Sequence, residues 1–465
     1  MTADVTQDSA AEHGVPPRLP VVAIVGRPNV GKSTLFNRLV HAQRAIVDSQ
    51  PGVTRDRNVA RAHWARRAFL LIDTGGFEDA DPSSLAAAVR TQSAVAAEEA
   101  DAVIALFDGR EGLNPLDRDF VDRLRHLRKP VLYAVNKLDT PGLDEDAAEF
   151  FGLGCDEVFP ISAAHGRGVQ DLMDRLLAQL PESATVRTAG AGAVTLAIVG
   201  RPNVGKSSLL NRLVGFERAI VDATPGTTRD PVDTPFQHDG DEYVVIDTAG
   251  IRRRPRVQEQ LERSSVVRAL RALERAEVAV LVIDATQGMT DQDARIAGYA
   301  WERGRALLFV LNKWDAVPRA QRDRPKVLRT IAEQYPTLAH VPAVCLSART
   351  GAHVDELFPA LRTLVAAHHQ ALRTVRLNEV LEAATHAQPA PSSKGRYPRF
   401  YYATQTGSAP PIISIVTNRP ELVTATYERY LTNAFRAAFQ LDGTPLRVRF
   451  RPRPAAEKRR PRPHR

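Results

Sequence analysis

Short apolar runs recur along the chain with helix-length segments between them. Residues 19–25, 69–72, 102–107 and 131–135 form one series, and 194–199, 243–246, 278–283 and 306–311 form a second. Runs that are apolar on both faces suit the buried strands of a parallel sheet. The pattern therefore predicts two α/β units, each a mostly parallel sheet flanked by helices. Residues 181–192 are small and breaker-rich with no periodicity, and read as a linker. The expected organisation is a disordered 1–19, a first unit over 20–180, a second over 193–366, a small α+β unit over 367–451 and a basic disordered tail over 452–465. A length of 465 residues fits about three domains, and 43% hydrophobic content gives each one a core.

The third unit has a different rhythm. Residues 399–406 and 412–417 suit strands around a turn, and Leu422, Val423, Tyr427, Tyr430, Leu431, Ala434, Phe435 and Phe439 make one apolar helical face. Leu446, Val448 and Phe450 then alternate with Arg447, Arg449 and Arg451, which predicts a half-buried strand with a cationic face.

The two α/β units are copies. Gly26, Arg27, Pro28, Asn29, Val30, Gly31, Lys32 and Ser33 recur as Gly200, Arg201, Pro202, Asn203, Val204, Gly205, Lys206 and Ser207. Each string follows an apolar run, the place where doubly wound sheets bind ligands. Its glycines let backbone N–H groups close around phosphate oxygens, the following helix presents its N-terminal dipole, and the lysine reaches the outer phosphates. Of only 8 lysines in the chain, four are Lys32, Lys206, Lys137 and Lys313, all at motif positions. A compact ammonium fits a phosphate cradle that a planar guanidinium would overfill.

Further motifs repeat at the same offset. Pro51 to Asp56 returns as Pro225 to Asp230, which places Thr54 and Thr228 as switch threonines. Asp73, Thr74, Gly75 and Gly76 return as Asp247, Thr248, Ala249 and Gly250. Ser33, Thr54 and Asp73, and Ser207, Thr228 and Asp247, are the candidate Mg²⁺ ligands, the two aspartates being expected at strand ends. Gly76 and Gly250 are free to swing a backbone N–H toward a γ-phosphate. With Lys32, Lys206, Thr54 and Thr228 they form the candidate catalytic set.

Asn136, Lys137, Leu138 and Asp139 match Asn312, Lys313, Trp314 and Asp315, and Ser162 and Ala163 match Ser347 and Ala348. A carboxylate at Asp139 or Asp315 accepts two hydrogen bonds from guanine N1–H and its exocyclic amine, where adenine offers the wrong edge. The expected ligands are thus GTP and GDP, one per copy, with Mg²⁺. The residue after each Asp-x-x-Gly, where a water-orienting Gln commonly sits, is Phe77 or Ile251, and neither side chain can orient water. Phe77, Glu78, Asp79, Ala80 and Asp81 are acidic as a group, whereas Ile251 is followed by Arg252, Arg253, Arg254 and Arg256, which suit either a switch that engages RNA or an acidic domain face in one state, or a solvated loop.

The chain resembles the Der (EngA) family, bacterial GTPases with two tandem Era-like G domains and a basic C-terminal domain. Both octamers and the tandem order carry the likeness, which spans roughly residues 20–450. The resemblance implies a KH-like third domain, GTP hydrolysis, and binding to the large (50S) ribosomal subunit and its rRNA during assembly; a monomer in the cytoplasm is expected, the latter from the want of a membrane span or signal. It also implies a K⁺ held by Asn29 and Asn203, supplying the charge that an arginine finger supplies elsewhere. The other reading of these asparagines is a turn.

Charge separates the parts. The net +8 divides into +11 after residue 366, from 17 Lys plus Arg against 6 Asp plus Glu, and −3 before it. A basic end suits nucleic acid or an acidic surface. No Gly-x-x-Gly loop exists among Gly395, Gly407 and Gly443, so the usual KH clamp on RNA is missing, and docking on a G domain or a shape-based RNA contact stays open. Tyr401 and Tyr402 fit base stacking or ordinary packing. No apolar run is long enough for a membrane span, and the N-terminus lacks a signal-like stretch. Two further functional classes compete: a membrane-associated or signalling GTPase scaffold, and an RNA-binding protein with one structurally held nucleotide.

Overall fold

The computed structural model describes residues 19–41, 59–65, 67–74, 96–181, 193–215, 233–248, 265–392 and 396–453. In the first copy, chain order runs β1 (Val21–Val25), α1 (Lys32–His41), β2 (Val59–Trp64), β3 (Arg67–Asp73), β4 (Ala102–Asp108), α2 (Pro115–Arg125), β5 (Val131–Asn136), β6 (Val158–Pro160) and α3 (Val169–Gln179). The sheet order is β2-β3-β1-β4-β5-β6. All its pairings are parallel except β2 with β3. β1 and β4 are buried along their whole length, as strands apolar on both faces must be.

The second copy repeats this plan with β7 (Val194–Val199), α4 (Lys206–Gly215), β8 (Thr234–His238), β9 (Asp241–Val245), α5 (Ser265–Arg275), β10 (Val278–Asp284), α6 (Asp291–Glu302), β11 (Ala306–Asn312), α7 (Arg324–Gln334), β12 (Ala343–Cys345) and α8 (Leu357–His368). Its order, β12-β11-β10-β7-β9-β8, is the same sheet with the strand numbers shifted. Each apolar run of the sequence lies in or overlaps a strand. β2 and β8 were not anticipated, because edge strands beside a hairpin turn carry mixed polarity.

The C-terminal unit consists of α9 (Thr374–Ala387), β13 (Phe400–Gly407), β14 (Ile412–Thr417), α10 (Ala425–Phe439) and β15 (Arg447–Pro452). β14 pairs antiparallel with β13 and parallel with β15. Leu377, Leu381, Ile413, Ile415, Leu431 and Phe435 are central to its core. The α10 helix is shorter than its apolar pattern. Thr424 caps it by accepting from Tyr427 N–H, so Leu422 and Val423 fall before the helix.

This unit is docked on the second copy. Leu307 N–H donates to Gly443 O at 2.7 Å, and Gly443 N–H to His340 O at 2.7 Å. Gly443 has φ +67°, and any Cβ there would press on Leu307 O, Leu364 and Pro342, so only glycine fits the seat. The Arg436 guanidinium lies 5.1 Å from the Trp301 ring centroid, and Arg447 donates to Glu302 O at 2.8 Å. Burial, with Arg449 and Arg303 nearby, pulls the Arg447 pKa down. The β15 face is therefore not uniformly a free cationic surface: Arg447 is a docking contact.

His368 closes α8 in this region, and its carbonyl receives Ala409 N–H at 3.1 Å. Burial, reinforced by His369 and Arg305, lowers its pKa to about 4 from 6.5. Between those values the unfolded chain binds more protons than the folded one, so stability is lost as pH falls from 6.5 toward 4. Replacing His368 by Leu is expected to flatten that part of a pH series of melting temperatures. An unchanged acid limb in the variant would contradict this assignment.

Cys155 and Cys345 are free, and burial pushes both thiols up to about 11. The sequence places both cysteines just before the Ser-Ala motifs, as buried thiols beside a strand; Cys155 is buried, and Cys345, at the end of β12, is half-buried. Among the described residues, no helix is long and apolar enough to cross a membrane.

Candidate guanine-nucleotide sites

The octamers form the turns from β1 into α1 and from β7 into α4. Gly26 and Gly200 have φ +154° and +144°, and a side chain at either would strike the carbonyl of Leu106 or Val282 on the neighbouring strand. Asn29 and Asn203 sit at φ +65° and +61°. This left-handed backbone is a local reason for Asn at that place, independent of any ligand. Lys32 Nζ donates to Gly26 O at 3.0 Å and Arg27 O at 2.8 Å, and Lys206 Nζ to Gly200 O at 2.9 Å and Arg201 O at 2.5 Å. Burial pushes Lys206 down to about 8, Asp293 opposing it. Val30 and Val204 are buried beneath their loops.

Asn136 and Asn312 tie three motifs together. Asn136 Nδ2 donates to Val30 O at 2.8 Å, while its Oδ1 accepts Ala163 N–H at 2.8 Å. Asn312 makes the same bonds to Val204 O at 2.7 Å and from Ala348 N–H at 2.9 Å. Gly31 and Gly205 are required beneath these amides, since a Cβ would run into either Nδ2. Lys137 and Lys313 hold φ +71° and +61° and pair with Asp108 and Asp284, which end β4 and β10. Leu138 and Trp314 N–H groups donate to Ile161 O and Leu346 O, both at 3.1 Å, so each Asn-Lys-x-Asp turn is fastened to the Ser-Ala loop beside it.

Asp139 accepts from Ser162 Oγ at 2.7 Å and pairs with Arg110. The Ser162 bond, then the Arg110 bond and charge, hold its carboxyl below the usual range despite some desolvation. Asp315 is lowered in the same way, first by Ser347 and then by Arg349, whose NH2 lies 2.6 Å from it. The arginine comes from a different loop in each copy, after β4 in one and after β12 in the other.

Ser33 Oγ donates to Asp73 Oδ2 at 2.6 Å, and Asp73, the last residue of β3, is 1% exposed. Thr74 Oγ1 donates to Ile24 O at 2.9 Å. The second copy departs from the expected strand end: β9 stops at Val245, and Asp247 follows it with φ +56°, donating its N–H to Asp233 Oδ1 at 3.1 Å. Arg275 grips the same Asp233 carboxylate at 3.2 and 2.5 Å. Thr248 Oγ1 is 2.8 Å from Thr234 Oγ1. Ser207 is the second residue of α4.

Thr54, Gly75, Gly76, Phe77, Thr228, Ala249, Gly250, Ile251 and the arginines at 252, 253, 254 and 256 lie outside the described residues, as do residues 1–18, 182–192 and 454–465. Sequence reasoning missed Asp108 and Asp284, and also Arg38 and Arg212, which reach from α1 and α4 to the carbonyls of Ala163 and Ala164 and of Arg349. The signal was present, since both pairs occupy matching places in the two copies.

Two mostly parallel sheets of identical order, each with a lysine-bearing loop and an Asn-Lys-x-Asp turn fastened to it, define a protein with two P-loop GTPase domains in tandem. A family of 50S ribosome-binding GTPases matches residues 21–137 and again 195–313, and the C-terminal KH-domain-like family of EngA bacterial GTPase enzymes matches 372–451. The GTP-binding domain of elongation factor Tu matches 262–367. The chain is 48% identical to GTPase Der of Geobacter metallireducens, over 94% of this chain and 100% of the relative. It is 47% identical to GTPase Der of Syntrophotalea carbinolica over the same shares. A crystal structure of Era with MgGDPNP and a 16S ribosomal RNA fragment covers 56% of this chain and 93% of its own, at 24% identity and a TM-score of 0.29. The chain belongs to the Der family of GTPases. It binds and hydrolyses GTP, and it acts in ribosome biogenesis.

Proposed function

We propose that this GTPase acts on the large (50S) ribosomal subunit, binding its rRNA during assembly as a cytoplasmic monomer. The observation that carries this reading is a pair of complete sets of nucleotide motifs in the sequence, followed by a C-terminal unit and tail that together carry a net +11 after residue 366. In support, the family matched twice is described as 50S ribosome-binding. The docked C-terminal unit also leaves Tyr397, Tyr401 and Tyr402 exposed, with Arg453 stacked 5.1 Å from the Tyr401 ring centroid. Exposed aromatic rings interleaved with arginine suit stacking on RNA bases.

Within each site, the octamer is assigned to the phosphates and Asp139 and Asp315 to the guanine edge. A hydroxyl and a buried carboxylate already converging, Ser33 with Asp73, are hard oxygen donors of the kind Mg²⁺ takes. Ser33, Asp73 and Thr54 would hold that ion in the first copy, and Ser207, Asp247 and Thr228 in the second. When bound, it supplies charge for the developing negative oxygens. Asn29 and Asn203 are the assigned K⁺ contacts. The G domains span 20–180 and 193–366 and the KH-like domain 367–451.

The test is sedimentation of the purified chain with separated ribosomal subunits in GDP or a non-hydrolysable GTP analogue. Binding is expected to the large subunit, to depend on nucleotide, and to weaken with salt and with Tyr401→Ala/Tyr402→Ala. Equal pelleting with the small subunit, or none with either, would overturn the assignment.

A further inference from the structure

The second residue of each octamer faces away from the loop it belongs to. Arg27 Nε donates to Asp117 Oδ1 at 2.8 Å, its NH2 reaches Asp117 Oδ2 at 3.3 Å, and its NH1 meets Glu111 at 3.1 Å. Arg201 Nε donates to Asp293 Oδ2 at 2.9 Å, and its NH1 to Gln287 Oε1 at 3.2 Å. Asp117 is 1% exposed and Asp293 0%, so each carboxylate is withdrawn from water and answered by the arginine.

The same carboxylates start a helix. Asp117 accepts Asn114 N–H at 3.1 Å to complete the capping box of α2, and Asp293 accepts Thr290 N–H at 3.1 Å and Thr290 Oγ1 at 2.9 Å at the head of α6. Capping alone needs no arginine, because an Asn serves as well. An arginine meant for a transition state would keep its donors free and accessible, whereas all three nitrogens of Arg27 are engaged, and Arg201 engages Nε and NH1 and leaves only a buried NH2 without a hydrogen bond. What the arginine does fix is its own main chain. The carbonyls of Arg27 and Arg201 are among those on which Lys32 and Lys206 rest.

We propose that Arg27 and Arg201 are positioning residues of the GTP sites: the ion pair with the helix-capping aspartate holds the carbonyl that receives the loop lysine, and so sets where the ammonium stands for the β-phosphate. The same clamp is built twice from different surroundings, Asn114-Pro-Leu-Asp117 in one copy and Thr290-Asp-Gln-Asp293 in the other. The proposal rests on the reading of the octamer as the phosphate loop.

The test uses the full chain with the first site silenced by Lys32→Ala, and measures GDP and GMP affinities of the second. Asp293→Asn keeps an oxygen to cap α6 while removing the charge that holds Arg201. GDP affinity is expected to fall about tenfold, roughly the worth of one charge-assisted hydrogen bond. Affinity for GMP, which lacks the β-phosphate, should change less than about twofold, the hydrogen bonds of the base being untouched. Arg201→Met leaves the cap intact and gives the same reading should the first variant be unstable. Equal losses for both nucleotides, or full GDP affinity in both variants, would overturn the clamp. Lys206→Ala on the same background separates the two ideas: if it leaves GDP binding unchanged, the phosphate-loop reading fails along with the clamp.

Discussion

Asn312→Ala is expected to lower the guanine-nucleotide affinity of the second site about a hundredfold, with Asn136→Ala doing the same in the first, since each deletion strands two buried polar groups. Asn312 is buried at the end of β11 and bonds both the phosphate loop and the Ser-Ala loop. Without it, Val204 O and Ala348 N–H face a cavity, each at a cost of about 1–3 kcal/mol. The loops then lose a common anchor, so phosphate and base are no longer presented at a fixed separation, and binding falls with stability. Calorimetric titration of each site, with the other silenced at its lysine, reads the effect. Affinities within about threefold of the parent, where loss of even one such bond would exceed that, would show that the loops hold their places without the amide.

Asp315→Asn, and Asp139→Asn in the first site, is expected to exchange GTP for XTP, with a swing in preference on the order of a thousandfold. A carboxylate accepts from guanine N1–H and the exocyclic amine, whereas xanthine presents a carbonyl in place of that amine and needs a donor. The substituted amide supplies one. The Asp315 pKa lies below the usual carboxylate range, chiefly through Ser347, so the group stays ionised above that range and GTP preference should not vary with pH near neutrality. Competition between GTP and XTP in isolated-site variants measures the exchange. Unaltered GTP preference would remove these aspartates from base recognition.

Much of the sheet was legible because β1 is apolar throughout and β4, β10 and β11 are apolar up to their last residue, a pattern few other environments tolerate. The octamers were legible because a close backbone turn leaves little choice beyond glycine. What escaped were relations between distant residues. Lys137 and Asp108 are 29 apart in sequence, and Arg27 and Asp117 are 90 apart, so no local window contains either pair. The strand end expected at Asp247 was not legible either, since the partner of its N–H, Asp233, and the Arg275 that holds Asp233 come from outside its own segment. Docking of the C-terminal unit rests in part on main-chain bonds at Gly443, which leave no trace in composition.

The two copies have the same parts and are nonetheless not interchangeable. Twelve-residue α6 is about 18 Å long. Near its head Asp293 meets the phosphate loop, and at its far end Trp301 and Glu302 receive Arg436 and Arg447. The residue in the first copy at the offset that relates Asp117 to Asp293 is Arg125, where the second has Trp301. A chain rebuilt with the first copy in the second position would set one guanidinium against another where an indole face now stands. The order of the duplicates is thus written into the chemistry of a single helix end, and a gene conversion that homogenised the repeats would unseat the third domain while leaving both nucleotide motifs intact.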